Sequence, residues 1–323
     1  MTVKVLVGGA IHEDGLALLR DAEGVEFESR EDSLVPSLYT ADALLVRTQK
    51  VTAEMIEKAT QLKIVSRHGV GYDAIAVNAL NARGIPLALV GGVSTHAVAE
   101  HTLALMLAAA RRLGEAGRRL RAGDWASRGR FHMTELRDKT LLVIGFGRIG
   151  REVARRARAF GMNVVAFDPH LAEPPADAPA GVRRAEHLAD GLATADFISL
   201  HLPGGGAPIL GAAEFAQLGK PVVVVNTARG DVIDEAALVA ALNDGRVAAA
   251  GLDVFAQEPP APDNPLLAME QVILTPHVAS LTTENTRRMG MVSARNILDF
   301  FAGKLDRSLV VNADDIGFTG GGS

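Results

Sequence analysis

Residues Leu141–Asp168 read LLVIGFGRIGREVARRARAFGMNVVAFD. An apolar run, Leu141–Ile144, enters a glycine turn. A helical pattern follows over Arg148–Phe160, with Ile149, Val153, Ala154, Ala157 and Phe160 spaced for one face. A second apolar run, Asn163–Phe167, ends at Asp168, eighteen residues after Gly150. The turn Gly145-Phe146-Gly147-Arg148-Ile149-Gly150 fits the pattern G-x-G-x-x-G. Alone the pattern is weak in a chain with 33 glycines; between a strand and a helix it is specific. Gly145 permits the tight turn, Gly147 lets a pyrophosphate approach, and Gly150 lets helix pack on strand. Unpaired N–H groups and the dipole at the helix start favour phosphate. Asp168 can accept bonds from both ribose hydroxyls and would repel a 2′-phosphate. The expected cofactor is therefore NAD (NADH) rather than NADP.

Outward from this stretch, short apolar runs alternate with helical patterns, as in parallel α/β proteins. Downstream, Phe197–Leu200, Val222–Val225, Ala248–Leu252 and Val272–Leu274 read as strands. Glu235–Asn243 reads as a helix, with Asp234 as N-cap and Gly245 beyond its end. Upstream, strands are expected at Val3–Val7, Ala43–Val46, Leu62–Ser66 and Ile85–Val90. Helices are expected at Asp14–Ala22, Ala53–Thr60, Asp73–Arg83 and Ala97–Arg112. The last is apolar nearly all round, which predicts burial, between domains. A final helix spans about Thr283–Ala302. Ala172–Gly181 reads as a surface loop, and the tail ending Gly320-Gly321-Gly322-Ser323 as mobile.

The chain's 323 residues suggest two domains. It is 48% hydrophobic and 22% charged, with 4% aromatics, so the core is expected to be aliphatic. A net charge of −5 argues against general nucleic-acid binding. The absence of cysteine excludes disulfides, thiol catalysis and cysteine metal sites, and no metal site is expected. Glu100, His101 and Thr102 interrupt the most apolar stretch, Ala97 to Ala110, so no run reaches the ~18 residues of a membrane span. Without a signal-peptide pattern, a soluble cytoplasmic protein is expected.

Open α/β sheets bind ligands at the carboxyl ends of their strands. Three polar residues are expected there: Arg229 in Asn226-Thr227-Ala228-Arg229-Gly230, Glu258 in Asp253–Pro259, and His277 in Thr275-Pro276-His277. Beside a nicotinamide ring such a trio can reduce a ketone. Arginine polarises the carbonyl and pairs with a carboxylate substituent. Histidine gives or takes the hydroxyl proton. The carboxylate orients the imidazole. Taken singly, each has a plainer reading that outweighs the catalytic one: Arg229 as a surface ion pair, Glu258 as a solvated loop carboxylate and His277 as a satisfied histidine beside a turn proline. Taken with the glycine turn, the catalytic reading prevails.

Over nearly its whole length the sequence resembles the D-isomer-specific 2-hydroxyacid dehydrogenase family, which includes hydroxypyruvate and glyoxylate reductases and D-3-phosphoglycerate dehydrogenases. The resemblance rests on Arg67-His68-Gly69-Val70-Gly71-Tyr72-Asp73, Val98-Ala99-Glu100-His101, the glycine turn, Leu200-His201-Leu202-Pro203, Asn226–Gly230, Gly251–Pro259 and Pro276-His277. It implies that Arg229 binds and polarises substrate, that His277 is the acid/base and that Glu258 is its partner. It assigns the substrate carboxylate to amides of Gly69, Val70 and Gly71. It assigns the nicotinamide carboxamide to Asp253 and the backbone near Thr227, with Ala279 among the cofactor contacts, and the adenosine side to His201 and Pro203. It also implies a homodimer built on the long helix and the arm through Trp125.

The fold implied is two Rossmann/flavodoxin-like parallel-sheet domains. An NAD domain, 97–286, is inserted into a substrate domain made of 1–96 and 287–323, with substrate in the cleft between them. The length leaves no room for an appended regulatory domain. Departures from the family pattern are Ala74-Ile75-Ala76, Ser94, Ala97 and the run Gly204-Gly205-Gly206-Ala207-Pro208. None removes a catalytic group. The expected reaction is NAD-dependent interconversion of a small 2-keto acid and its D-2-hydroxy acid, of the hydroxypyruvate/glyoxylate type. The alternatives are a D-3-phosphoglycerate dehydrogenase, in which Arg47, Arg67 and His68 would read a distal phosphate, and an NAD(H)-sensing, corepressor-like binding protein. Formate oxidation is disfavoured, because formate dehydrogenases of this superfamily carry glutamine where Glu258 stands. Phosphite oxidation is compatible with the trio.

Overall fold

The computed structural model describes residues 2–171, 173, 175 and 177–320. Parts of the expected Ala172–Gly181 loop and the last three residues of the tail lie outside these. The chain divides into two compact units, Met1–Ser94 with Leu281–Ser323, and Thr95–Ser280.

In the first unit the elements run β1 (Val3–Gly8), α1 (Glu13–Arg20), β2 (Val25–Arg30), β3 (Ala43–Val46), α2 (Ala53–Lys58), β4 (Ile64–Arg67), α3 (Val77–Ala82) and β5 (Leu87–Ala88). They form a five-stranded sheet, β2-β1-β3-β4-β5, parallel throughout. Fully buried strands need no polar face, which is why β3 is all aliphatic (Ala-Leu-Leu-Val). The sequence reading misses β2. Its outward Glu26, Glu28 and Arg30 mark it as an edge strand that charge protects from further pairing. The expected strand at Ile85–Val90 shrinks to two residues, and the expected helix from Asp73 begins only at Val77.

The C-terminal helix Thr283–Phe301 completes this unit. Ser66 donates from β4 to the Ser293 carbonyl at 2.8 Å. The Asn312 side chain accepts from Leu87 N at 2.8 Å and donates to Ile85 O at 3.0 Å. The two sequence segments are thus joined by buried polar bonds as well as by packing.

His68 follows β4 and is only 4% exposed. Burial, with the Arg47 charge, pushes its imidazole down to about 4. The unfolded chain therefore takes up a proton near pH 6.5 that the folded chain refuses until about pH 4. Folding stability falls as pH drops through that window, by about 3 kcal/mol from this residue. Urea unfolding at pH 7 and pH 4.5 checks this: His68→Gln should lose markedly less stability on acidification than the parent.

The second unit contains α4 (Thr95–Ala110), α5 (Leu113–Arg121), β6 (Thr140–Ile144), α6 (Arg148–Ala159), β7 (Asn163–Phe167), β8 (Val182–Arg184), α7 (Leu188–Thr194), β9 (Phe197–Leu200), α8 (Ala212–Phe215), β10 (Val222–Asn226), α9 (Glu235–Asn243), β11 (Val247–Leu252) and β12 (Val272–Leu274). The parallel sheet has the order β12-β11-β10-β9-β6-β7-β8. Its direction of growth reverses at β6, so the glycine turn after β6 lies at the topological switch point, where such sheets bind ligands. The Asp234 side chain accepts from Ala237 N at 3.1 Å, capping α9 as its sequence predicts. Helix α4 buries Val98, Ala99, Thr102, Leu105 and Met106. The edge strand β8 and helices α5, α7 and α8 are absent from the sequence reading.

Candidate active site

The glycine turn runs from β6 into α6. Gly145 has φ +89°, and a Cβ there would stand 2.5 Å from the His201 carbonyl oxygen. The turn therefore lies directly against the end of β9, which only glycine allows. A Cβ on Gly150 would overlap the Gly145 carbonyl, whereas one on Gly147 would project into open space. Gly147 is the N-cap of α6 and offers no side chain to its first-turn amides. The turn thus keeps a helix start without a side-chain cap, and at Gly147 no atom crowds it, which fits a pyrophosphate.

Asp168 faces the same turn. Its carboxylate accepts from Phe146 N at 2.8 Å and His170 N at 2.9 Å, and each oxygen retains lone pairs for a ribose. Phe146 itself is buried, so its side chain belongs to the core. Arg148 is exposed at the start of α6, and Ile149 is half-buried beside it. The His201 Nε2 pairs with the Ser199 hydroxyl at 2.8 Å. Pro203 is exposed at the start of the glycine-rich loop, whose Gly205 amide donates to Asp231 at 2.6 Å.

At the end of β10 the chain folds over the Asn226 side chain. This accepts from Ala228 N at 3.0 Å and donates to Arg229 O at 2.8 Å. Thr227 is fixed from α4 through the Thr102 hydroxyl at 2.8 Å. Gly230 then passes so close to the Phe255–Ala256 backbone that a Cβ would overlap it. A single glycine thus seats the loop of Arg229 on the loop of Glu258.

The Glu258 Oε2 lies 2.7 Å from the His277 Nδ1, and its Oε1 accepts from Phe255 N at 3.1 Å. With Nδ1 engaged, Nε2 is the imidazole atom left for chemistry. His277 adopts φ +52°, a left-handed conformation that a residue with a Cβ rarely takes. A cavity of about 410 Å³ opens beside the pair, its apolar wall formed by Phe255, Leu267 and Leu274.

Asp253 anchors this segment. It is fully buried, and its oxygens accept from the Thr275 hydroxyl at 2.6 Å and from Val278 N and Ala279 N, each at 2.9 Å. Its carbonyl accepts from His277 N at 2.8 Å. Burial pushes the Asp253 carboxyl up, but hydrogen bonds from His101, Thr275, Val278 and Ala279 together outweigh it and hold the group below its usual value. The sequence reading gives this residue to the carboxamide and overlooks its hold on the His277 backbone. It also overlooks Asn226, Gly230, Thr275 and His101 as positioning groups. The one available signal was His101 itself, which with Glu100 and Thr102 interrupts a largely apolar helix.

In the first unit, the Arg67 guanidinium donates to Gly71 O at 2.9 Å, His68 O at 3.3 Å and Val46 O at 3.4 Å. It thereby shapes the loop Gly69–Gly71. Arg47 donates to Ala10 O at 3.0 Å. Among the described residues no group of three or more histidines or acids could hold a metal ion, and no helix is long and apolar enough to cross a membrane.

Comparison with known proteins agrees with this architecture. Residues 103–279 match the family model described as D-isomer specific 2-hydroxyacid dehydrogenase, NAD binding domain. The chain is 43% identical over 316 residues to D-3-phosphoglycerate dehydrogenase of Archaeoglobus fulgidus, covering 95% of this chain and 59% of that protein. It therefore spans about three-fifths of the length of such relatives. It is 40% identical over 296 residues to hydroxypyruvate reductase of Thermotoga maritima, covering 89% of this chain and 95% of that one. The crystal structure of an NADPH-dependent glyoxylate/hydroxypyruvate reductase from Sinorhizobium meliloti superposes with a TM-score of 0.82 at 31% identity, covering 93% of this chain and 95% of that one. With the fold, the glycine turn and these similarities in agreement, the chain belongs to the D-isomer-specific 2-hydroxyacid dehydrogenase family.

Proposed function

We propose that the protein interconverts a small 2-keto acid and its D-2-hydroxy acid with NAD(H). The observation that carries this reading is the Glu258–His277 pair, 2.7 Å apart, on loops seated against that of Arg229. In the reductive direction Arg229 polarises the carbonyl, and His277 gives a proton from Nε2 to the carbonyl oxygen. Glu258 holds the ring and balances the imidazolium charge. When bound, the nicotinamide supplies the hydride to the carbonyl carbon. In oxidation His277 accepts the hydroxyl proton. Gly145, Phe146, Gly147, Arg148 and Ile149 would hold the pyrophosphate by backbone and helix start, and Asp168 the ribose. Asp168 supports NAD over NADP.

The substrate carboxylate is assigned to amides of the Gly69–Gly71 loop. Arg67 draws to itself the Gly71 carbonyl, and that of His68 just before the loop, which supports the amides of Val70 and Gly71 as the donors. The binding of Arg67 and Arg47 to backbone carbonyls supports structural roles for both. It therefore favours hydroxypyruvate or glyoxylate over a phosphorylated substrate. A second reading, oxidation of D-3-phosphoglycerate, draws support from the higher identity to the Archaeoglobus fulgidus protein.

The test is NADH and NADPH oxidation with hydroxypyruvate, glyoxylate, pyruvate and phosphohydroxypyruvate. Turnover is expected with the first two and NADH. A preference for phosphohydroxypyruvate would move the assignment to the second reading, and silence across the panel would overturn both. A homodimer belongs to the same proposal, supported by Leu113, Leu120 and Trp125, which α5 and the following arm leave exposed, Trp125 by 66%. So does a cytoplasmic location, where the nicotinamide pool is found.

A further inference from the structure

We propose that His101 is a positioning residue for the acid/base histidine, acting from α4 through Thr275 and Asp253. The kinetic half of this inference rests on the function proposed above; the structural half rests on geometry alone.

The Thr275 hydroxyl carries one proton, and its 2.6 Å bond to Asp253 Oδ1 uses it. The His101 Nε2 lies 2.9 Å from the same hydroxyl oxygen and 3.4 Å from Asp253 Oδ1. Having no second proton, the hydroxyl can only accept from His101. His101 must therefore carry its proton on Nε2, donating toward both the hydroxyl and the carboxylate. A fully buried carboxylate persists only when paired and hydrogen-bonded. His101 is the nearest titratable partner on Asp253.

Four bonds that hold the segment carrying His277 converge on this aspartate. The amides of Val278 and Ala279 and the Thr275 hydroxyl bind its carboxylate, and the His277 amide binds its carbonyl. A donor removed at position 101 leaves the Asp253 charge less compensated. Burial then favours the neutral acid, whose O–H must displace one of the bound donors. The segment 275–279 slackens, and Nε2 of His277 loses its aim. Helix α4 thereby sets the acid/base geometry from behind the sheet end, without touching substrate.

The test compares His101→Leu, which removes the donor, with His101→Gln, whose amide can replace Nε2. Hydrogen–deuterium exchange of a peptide covering 275–279, with α6 as internal reference, reads the clamp without needing turnover. In His101→Leu this peptide should exchange faster while α6 is unchanged. Its kcat should fall about 10- to 100-fold, as a misaimed proton donor implies. His101→Gln should return kcat to within about threefold of the parent and restore protection. Unchanged exchange in His101→Leu, or a glutamine variant no better than the leucine one, would overturn the inference. A parent enzyme silent toward every 2-keto acid would instead overturn the proposed function, and exchange would still decide the clamp.

Discussion

His277→Ala is expected to slow 2-keto acid reduction by about 10²–10⁴-fold, the range for removal of a positioned proton donor. The fall should appear in kcat and kcat/KM alike, because the proton reaches the oxygen only as the hydride transfers. NADH binding, followed by fluorescence, should change little, since the glycine turn and Asp168 lie on other loops. Glu258→Gln is the sharper companion. It keeps the size of the side chain and its acceptor for Phe255 N but removes the negative charge facing Nδ1. It should slow the reaction less than loss of the imidazole does. The two losses should not multiply in the double variant, because both remove one function. A His277→Ala enzyme as fast as the parent would sink the assignment of acid/base to this residue.

The parts legible in the sequence were those where local chemistry leaves few choices. The turn Gly145–Gly150 was readable because each glycine answers a separate steric demand, and the backbone meets those demands at Gly145 and Gly150. The central strands were readable because parallel strands buried on both faces are aliphatic throughout. Strands β2 and β8 were not, since edge strands mix charge into their pattern.

Arg229, Glu258 and His277 stood out as polar residues at strand ends. What holds them did not stand out, because it depends on bonds between residues far apart in the chain. Asp253 illustrates the difference. A motif names it, but only the fold reveals that its oxygens are occupied by the backbone carrying His277. His101 is 174 residues from its partner Thr275, and no local pattern announces such a bond.

Gly230→Ala should damage stability and catalysis together, and the reason lies in backbone geometry. The added methyl would overlap the carbonyl of Phe255 and the amide of Ala256. A flexible side chain could turn aside, but here both neighbours are main chain. The loop of Arg229 or that of Glu258 must move. Overpacking of this kind costs about 1–3 kcal/mol, which urea unfolding will measure. The catalytic cost should be larger than the stability cost suggests. Arg229 directly precedes the substituted residue, and Glu258 lies three residues beyond Phe255, so separating the loops separates the group that polarises the carbonyl from the pair that protonates it. A displacement of about 1 Å is worth about 10²-fold in rate. The expected result is therefore a folded variant with kcat/KM down by about that factor and NADH affinity retained. Ala228→Gly is the control, because it frees the neighbouring backbone while adding no atom at the crossing. A Gly230→Ala enzyme with parental kcat/KM would show that the approach of these two loops does not set the geometry of the reaction.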